Sequence, residues 1–387
     1  MSSLRSMGAA VRFAVPGRLD LRRRLGWRWA LVLGLTAALA SLPALVAALP
    51  VRSPAVDTEA LLERVRDSDR VAFSGYGESR GDLVLPHVHA LGDLPEVISG
   101  TTRLRAWWLG PERHRIDALS LVGENDVAVN GRETWTWNSA DRTATVLRGD
   151  LDVRLPRGPD LLAPALGARL SRTANVVAGQ LPARRVAGID AAGLRLRPAQ
   201  PKTTTVERVD MWADPRTGLV LRVELHARGV AGAALTSSLL DVDLSAPDPA
   251  RTTFEPPAGA SVTVVDAPDL AAAADRFAPY RLPQRLAGLP RRDDVGNLAQ
   301  GVATYGDGFT SFTVVPLRGR TAWSLLDALP REPGTHEARV STALLQGRVV
   351  RDHDPDRAYL LAGTVPQNVL QRALDELRAS PPPRRFW

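Results

Sequence analysis

Cysteine is absent from the 387 residues. That excludes disulfides, thiol nucleophiles, cysteine zinc sites, iron–sulfur clusters and lipidation on a lipoprotein cysteine. Lysine is nearly absent, with Lys202 the single one, so the positive charge is arginine and reflects compositional bias across the chain. The chain also lacks G-x-S-x-G, H-E-x-x-H, P-loop and Rossmann glycine patterns, so no enzymatic activity, cofactor or metal is predicted. His87-Val88-His89 sits in a loop without a paired carboxylate pattern, and Asp352-His353-Asp354-Pro355-Asp356 lacks EF-hand spacing. The histidines read as solvated or packed side chains, and the acidic run as a hairpin turn.

What is present is an ordinary globular composition, 44% hydrophobic and 24% charged, long enough for two or three domains. The formal charge of +7 suggests nucleic acid until it is located. Residues 1–49 hold seven arginines and one acid, Asp20, while the rest of the chain holds 42 basic and 41 acidic side chains. The body of the protein is therefore nearly neutral, and nucleic acid is not an expected partner.

The N-terminal basicity flanks an uncharged run. Residues 1–28 form a basic leader, with Arg22, Arg23, Arg24 and Arg28 next to WALVLGLTAALASLPALVAAL over residues 29–49. About 20 apolar residues behind an arginine cluster predict a transmembrane signal anchor, N-terminus inside, with everything beyond it extracytoplasmic. The alternative is secretion after cleavage near Val46-Ala47-Ala48.

Past a Pro-containing linker (50–55), Asp57 or Thr58 can cap a helix whose apolar face is Leu61, Leu62 and Val65. The pattern then turns to period two. Strands are predicted from Val71 to Tyr76, Arg103 to Trp108, Arg113 to Leu119 and Asp126 to Val129. Others run over Glu133 to Trp137, Thr143 to Leu147 and Val206 to Glu224, the last as a hairpin. Asn130-Gly131 is a strong hairpin signal. Residues 78–101 read as a long apolar loop and 158–177 as short helical pieces. Residues 57–262 thus form a mainly antiparallel sheet with few helices. An Ala-rich connector (267–274) leads to a second, α+β unit at 275–378, whose last helix follows a capping box at Thr364-Val365-Pro366-Gln367.

Trp107, Trp108, Trp135 and Trp137 lie within one stretch of hairpins. They are either core or part of an apolar sheet face left open for an acyl chain, which needs apolar area and little specific chemistry. If such a cavity exists, strand alternation assigns its lining to Leu104, Trp108, Trp135, Trp137, Val209, Met211, Leu221 and Val223.

Several motifs resemble a known family. Phe73-Ser74-Gly75, Leu104 to Trp108, Gly110-Pro111-Glu112-Arg113, Asn130 to Trp137 and Phe254-Glu255-Pro256-Pro257 resemble the N-terminal domain of RseB/MucB proteins. Tyr305-Gly306-Asp307-Gly308-Phe309 and Gly363-Thr364-Val365-Pro366 resemble their smaller C-terminal domain. The resemblance implies a mainly β chain with α+β parts, in which a LolA-like antiparallel half-barrel around short helices precedes a small α+β domain. It implies a non-enzymatic, extracytoplasmic regulator; the anchor expected over 29–49 departs from the family, whose periplasmic members are cleaved free. Such a protein binds a lipid or lipoprotein acyl chain and modulates a membrane anti-sigma factor of the sigma-E, envelope-stress type. The alternative is a LolA-like lipid or lipoprotein carrier.

Overall fold

The structure, a computed structural model, describes residues 32–33, 35–36, 51, 56–83, 98–120, 123–149, 157–266, 282–292, 302–317, 323, 325–327, 329, 335–351 and 358–379. The chain divides into two compact units, Met1–Val51 and Arg52–Trp387. The second unit is mainly β.

It opens with helix α1 (Thr58–Arg66), which buries Leu61, Leu62 and Val65. Asp57 caps it: its carboxylate accepts the Ala60 backbone N–H at 3.0 Å, satisfying one of the unpaired first-turn donors. Asp57→Ala should cost about 1 kcal/mol in chemical denaturation. An unchanged midpoint would mean that the packing of α1 holds the helix without its cap.

Twelve strands follow: β1 (Phe73–Gly81), β2 (Thr101–Gly110), β3 (Arg113–Leu119), β4 (Glu124–Asn130), β5 (Glu133–Asn138), β6 (Thr143–Arg148), β7 (Val176–Val186), β8 (Ile189–Pro198), β9 (Val206–Ala213), β10 (Val220–Ala227), β11 (Leu235–Asp243) and β12 (Ser261–Asp266). They form one open sheet in the order β12-β6-β5-β4-β3-β2-β1-β11-β10-β9-β8-β7. Two meanders, β1 to β6 and β7 to β11, are thus joined edge to edge where β11 returns beside β1. All pairings are antiparallel except β12 on β6. Tight turns set the local register. Asn130-Gly131 joins β4 to β5 with Gly131 at φ 60°, and Ala187-Gly188 joins β7 to β8 with both residues at positive φ. The predicted loop at 78–101 is shorter than expected, because β1 continues to Gly81 and β2 begins at Thr101.

Helix α2 (Ala163–Ser171), preceded by a 3₁₀ turn at Gly158–Leu161, packs on β10 and against α1. Gly167 allows the approach: a Cβ there would fall 2.6 Å from the Val220 side chain. One face of the sheet is therefore covered by helix. Two cores lie beneath it, one holding Val65, Leu194, Val209, Met211 and Val223, the other Phe73, Leu104, Leu162, Leu219 and Leu221.

The C-terminal part adds a small hairpin of β13 (Arg285–Leu286) and β14 (Leu289–Pro290). It also adds a sheet of β15 (Ala303–Asp307), β16 (Thr310–Leu317), β17 (Glu337–Ser341), β18 (Gln346–Arg351) and β19 (Ala358–Gly363), ordered β15-β16-β19-β18-β17. Helix α3 (Gln367–Ala379) lays Val369, Leu370, Ala373 and Leu377 onto Tyr305, Phe312, Tyr359 and Leu361. Two threonines between β8 and β9 fasten this sheet to the first. The Thr204 hydroxyl donates to Phe309 O at 2.6 Å and is placed 2.9 Å from Thr364 O. The Thr205 amide donates to Thr364 O at 2.8 Å and its hydroxyl to Leu344 O at 2.5 Å.

Two expectations are corrected. The fold does not carry the transmembrane helix expected over 29–49: among the described residues no helix is long and apolar enough to cross a membrane. Within that run only Val32, Leu33, Leu35 and Thr36 are described, as exposed helical residues, and the rest of the call lies outside the described residues. The capping box before α3 does not form either. The Gln367 side chain accepts from Arg348 Nε at 3.0 Å and donates to Gln346, while the Thr364 hydroxyl donates to Phe309 O at 2.6 Å. The calls on the connector at 267–274, on His87 and His89, and on Asp352 to Asp356 lie outside the described residues.

Candidate functional site

The helix-covered face of the sheet leaves a cavity of about 440 Å³ between β2–β5 and the α2 region. Its floor comes from alternate residues. Trp108 on β2 stands opposite His114 on β3, His114 opposite Val129 on β4, and Val129 opposite Thr134 on β5. One register step away, Ile116 stands opposite Val127. Cross-strand partners share a face, so these side chains converge on the cavity. Pro159, Ala165 and Ala168 close it from the helical side.

Trp108 fixes one wall. Its indole N–H donates to Asp69 O at 2.6 Å, and its ring stacks on His114 with centroids 4.1 Å apart. The rim is charged. Arg157, Arg169 and Arg172 stand there with Asp69 and Asp160. Asp160 accepts the Arg157 backbone N–H at 2.8 Å and Arg169 at 3.1 Å, and Arg172 pairs with Asp69 at 2.6 Å. Three arginines and two carboxylates thus stand at the mouth over a largely apolar floor. That combination suits an amphiphile with an apolar tail and an anionic head.

Of the eight residues the alternation assigned to a cavity, Trp108 lines this one. Leu104 and Leu221 are fully buried in the core beside it, and Val209, Met211 and Val223 in the core under α1. Trp135 and Trp137 belong to the opposite face. They stand across from Ala128 and Asp126 and pack on Phe254, with ring centroids 5.8 and 5.9 Å away. Val127, Val129, Ile116 and His114 were missed as lining. Their alternation was visible in the sequence, but nothing in it said which face the helix would cover.

Around β1, β10 and β11 the outer face is polar. A hollow of about 650 Å³ there is lined mainly by charged and hydroxyl side chains, Glu78, Arg80, Asp82, Arg222, Thr236 and Ser238 among them. Beside it, Asp210 on β9 accepts from Nε and Nη2 of Arg195, each at 2.6 Å, and from Arg208 Nε at 3.3 Å. Burial alone would raise the Asp210 pKa. The hydrogen bonds and charges of Arg195 and Arg208 outweigh it and hold the carboxyl below the usual range. Further along the same face, burial and then the neighbouring Asp117 charge push Asp126 up to about 7, against the pull of Arg115.

No family model matches the chain, and no curated protein matches it. Several solved structures are similar. A Pseudomonas aeruginosa MucA/MucB complex is 16% identical with a TM-score of 0.47, covering 82% of this chain and 96% of that one. A crystal structure of MucB is 18% identical with a TM-score of 0.42, again covering 82% and 96%. A LolA superfamily protein from Nitrosomonas europaea is 14% identical with a TM-score of 0.25, covering 52% of this chain and 99% of that one. These are structures of the RseB/MucB and LolA kinds that the sequence motifs resemble.

Proposed function

We propose that this protein is a non-enzymatic, extracytoplasmic regulator. It holds the acyl chain of a lipid or lipoprotein in the cavity between α2 and β2–β5, and the occupancy of that cavity changes its grip on a membrane anti-sigma factor. The cavity carries the reading. Its floor of Trp108, Ile116, Val127 and Val129 offers apolar area, and its rim carries Arg157, Arg169 and Arg172. The extracytoplasmic placement rests on the arginine-rich leader before the uncharged run at 29–49. The second reading is a LolA-like carrier, which needs the same cavity. The C-terminal sheet fastened through Thr204 and Thr205 favours the regulator, because it adds a second folded unit that a shuttle does not require.

The test is native mass spectrometry of the full chain purified from a membrane-containing host, with solvent extraction of whatever is bound. A stoichiometric lipid is expected. A clean apo mass would overturn lipid sensing. Delipidated and loaded protein are then compared for binding to extracytoplasmic segments of anti-sigma factors. A difference supports the regulator, whereas transfer of the lipid to an acceptor with unchanged binding supports the carrier.

The rim makes its own prediction. Arg169→Ala with Arg172→Ala removes two of three rim cations, both on side chains about half exposed, so folding should survive. The extracted lipid should shift from anionic toward neutral species by about tenfold, the equivalent of about 1.4 kcal/mol in head-group attraction. An unchanged lipid profile would mean that the tail alone selects the ligand.

A further inference from the structure

Asp117 on β3 and Asp126 on β4 stand directly opposite each other on the outer face, and Glu124 lies two residues before Asp126 on that same face. Like charges facing across a strand pair are destabilising unless something compensates them. Arg115 compensates in part. Its Nε donates to Asp117 at 2.7 Å and its NH2 nitrogen to Asp126 Oδ2 at 2.8 Å. The guanidinium of Arg105, opposite Asp117 on β2, lies over the Trp107 ring instead, 6.0 Å from its centroid. Three carboxylates and Arg115 leave a local charge of −2 when all are ionised.

A second observation points to a missing ligand. Asp126 is 2% exposed, and its Oδ1 is buried without a hydrogen-bond partner. A buried carboxyl oxygen left unpaired is costly and calls for a cation or donor. One oxygen from each of the three residues lies within 4.8 Å of the others. Ca²⁺ accepts about six to eight oxygen ligands in flexible geometry, whereas Mg²⁺ demands an octahedron and keeps much of its water, so a cluster of protein carboxylates favours Ca²⁺.

We propose that Asp117, Glu124 and Asp126 form a divalent-cation site that prefers Ca²⁺, with the buried Asp126 carboxylate as its anchor and half-buried Glu124 as the entry side. The other acidic group on this face serves as a contrast. Asp210, Glu224 and His226 also lie within ligand distance of one another. There Arg195 and Arg208 hold Asp210, and Arg184 and Arg222 hold Glu224, so cations already surround the carboxylates. A metal ion would have to displace several arginines there, whereas the Asp126 cluster has charge to spare.

The test is a Tb³⁺ titration of the full chain stripped with EDTA, exciting tryptophan. Trp137 is the cross-strand partner of Asp126 and can sensitise the bound ion. Saturable emission is expected, displaced by Ca²⁺ but not by equal Mg²⁺, together with a rise in Tm on adding Ca²⁺ alone. Glu124→Gln and Asp126→Asn should each weaken Ca²⁺ by at least about tenfold, and Glu224→Gln should leave it unchanged. Absence of both emission and Tm shift in the unmodified protein overturns the site. Wild-type affinity in either Glu124→Gln or Asp126→Asn overturns it equally.

Discussion

Val127→Glu is expected to leave the protein folded and its cavity empty. Val127 lines the cavity but is only partly buried, so a glutamate can stay solvated while the site holds water. Once an acyl chain displaces that water, the carboxylate faces hydrocarbon, and burial of an unpaired charge is among the largest penalties a site can impose. Each buried methylene contributes about 0.8 kcal/mol to retention. The penalty should therefore offset several methylenes, lowering lipid affinity by about a hundredfold or more. Native mass spectrometry of the variant should show the apo mass, with an unaltered circular-dichroism spectrum. Trp135→Phe is the matched control. It alters the opposite face, where Trp135 packs on Phe254, and should keep its lipid. A folded Val127→Glu protein that retains lipid, or a Trp135→Phe protein that loses it, would move the site to the other side of the sheet.

That pair of variants also marks where sequence reasoning reached its limit. Alternation placed the strands, Asn130-Gly131 turned where expected, and Asp57 capped α1. Parity within each strand was legible: Leu104 and Trp108 do share a face, as do Trp135 and Trp137. Parity between strands was not, because it depends on register. From Gly110 opposite Arg113, an unbroken ladder would set Trp108 opposite Arg115, which stands on the Trp135 side through Ala128. A bulge between Trp108 and Gly110 shifts the pairing by one, so Trp108 meets His114 and joins the cavity face. One extra residue in a strand reverses the face of everything beyond it, and no residue type at Leu109 announces it. The closing of the two meanders through β1 and β11 was hidden for a similar reason. It joins segments about 160 residues apart, and only the folded sheet brings them together. The capping box failed because Gln367 and Thr364 found partners on β18, β17 and the β15–β16 turn, contacts that a local motif cannot foresee.

Asp210→Asn should lower stability at neutral pH by about 3 kcal/mol and remove part of the protein's acid sensitivity. The carboxylate is 3% exposed and receives two charge-assisted bonds from Arg195 and one from Arg208. Removing one partner of a buried pair leaves the other charge poorly compensated, at a cost of about 3–5 kcal/mol. Arg195 and Arg208 keep about a quarter of their side chains in solvent, which places the effect at the lower end. The sign of the pH dependence follows from the depressed carboxyl. Unfolded, Asp210 titrates at about 3.9, whereas folded it titrates below that. Its contribution is therefore complete above about pH 4 and is lost as pH falls through the folded value, where the native state must take up a proton it binds weakly. Glu207, Glu224 and His226 flank the same carboxylate, with Arg184 and Arg222 beyond them. The comparison must therefore be a difference between variant and parent, not an absolute profile. Urea midpoints between about pH 2 and 7 would supply it. The two curves should be separated at neutral pH and converge on the acid side as the parent loses the Asp210 contribution. Parallel curves over the whole range would show that the arginines of this face are satisfied without Asp210, and that the network is a solvated surface arrangement with no hold on the sheet.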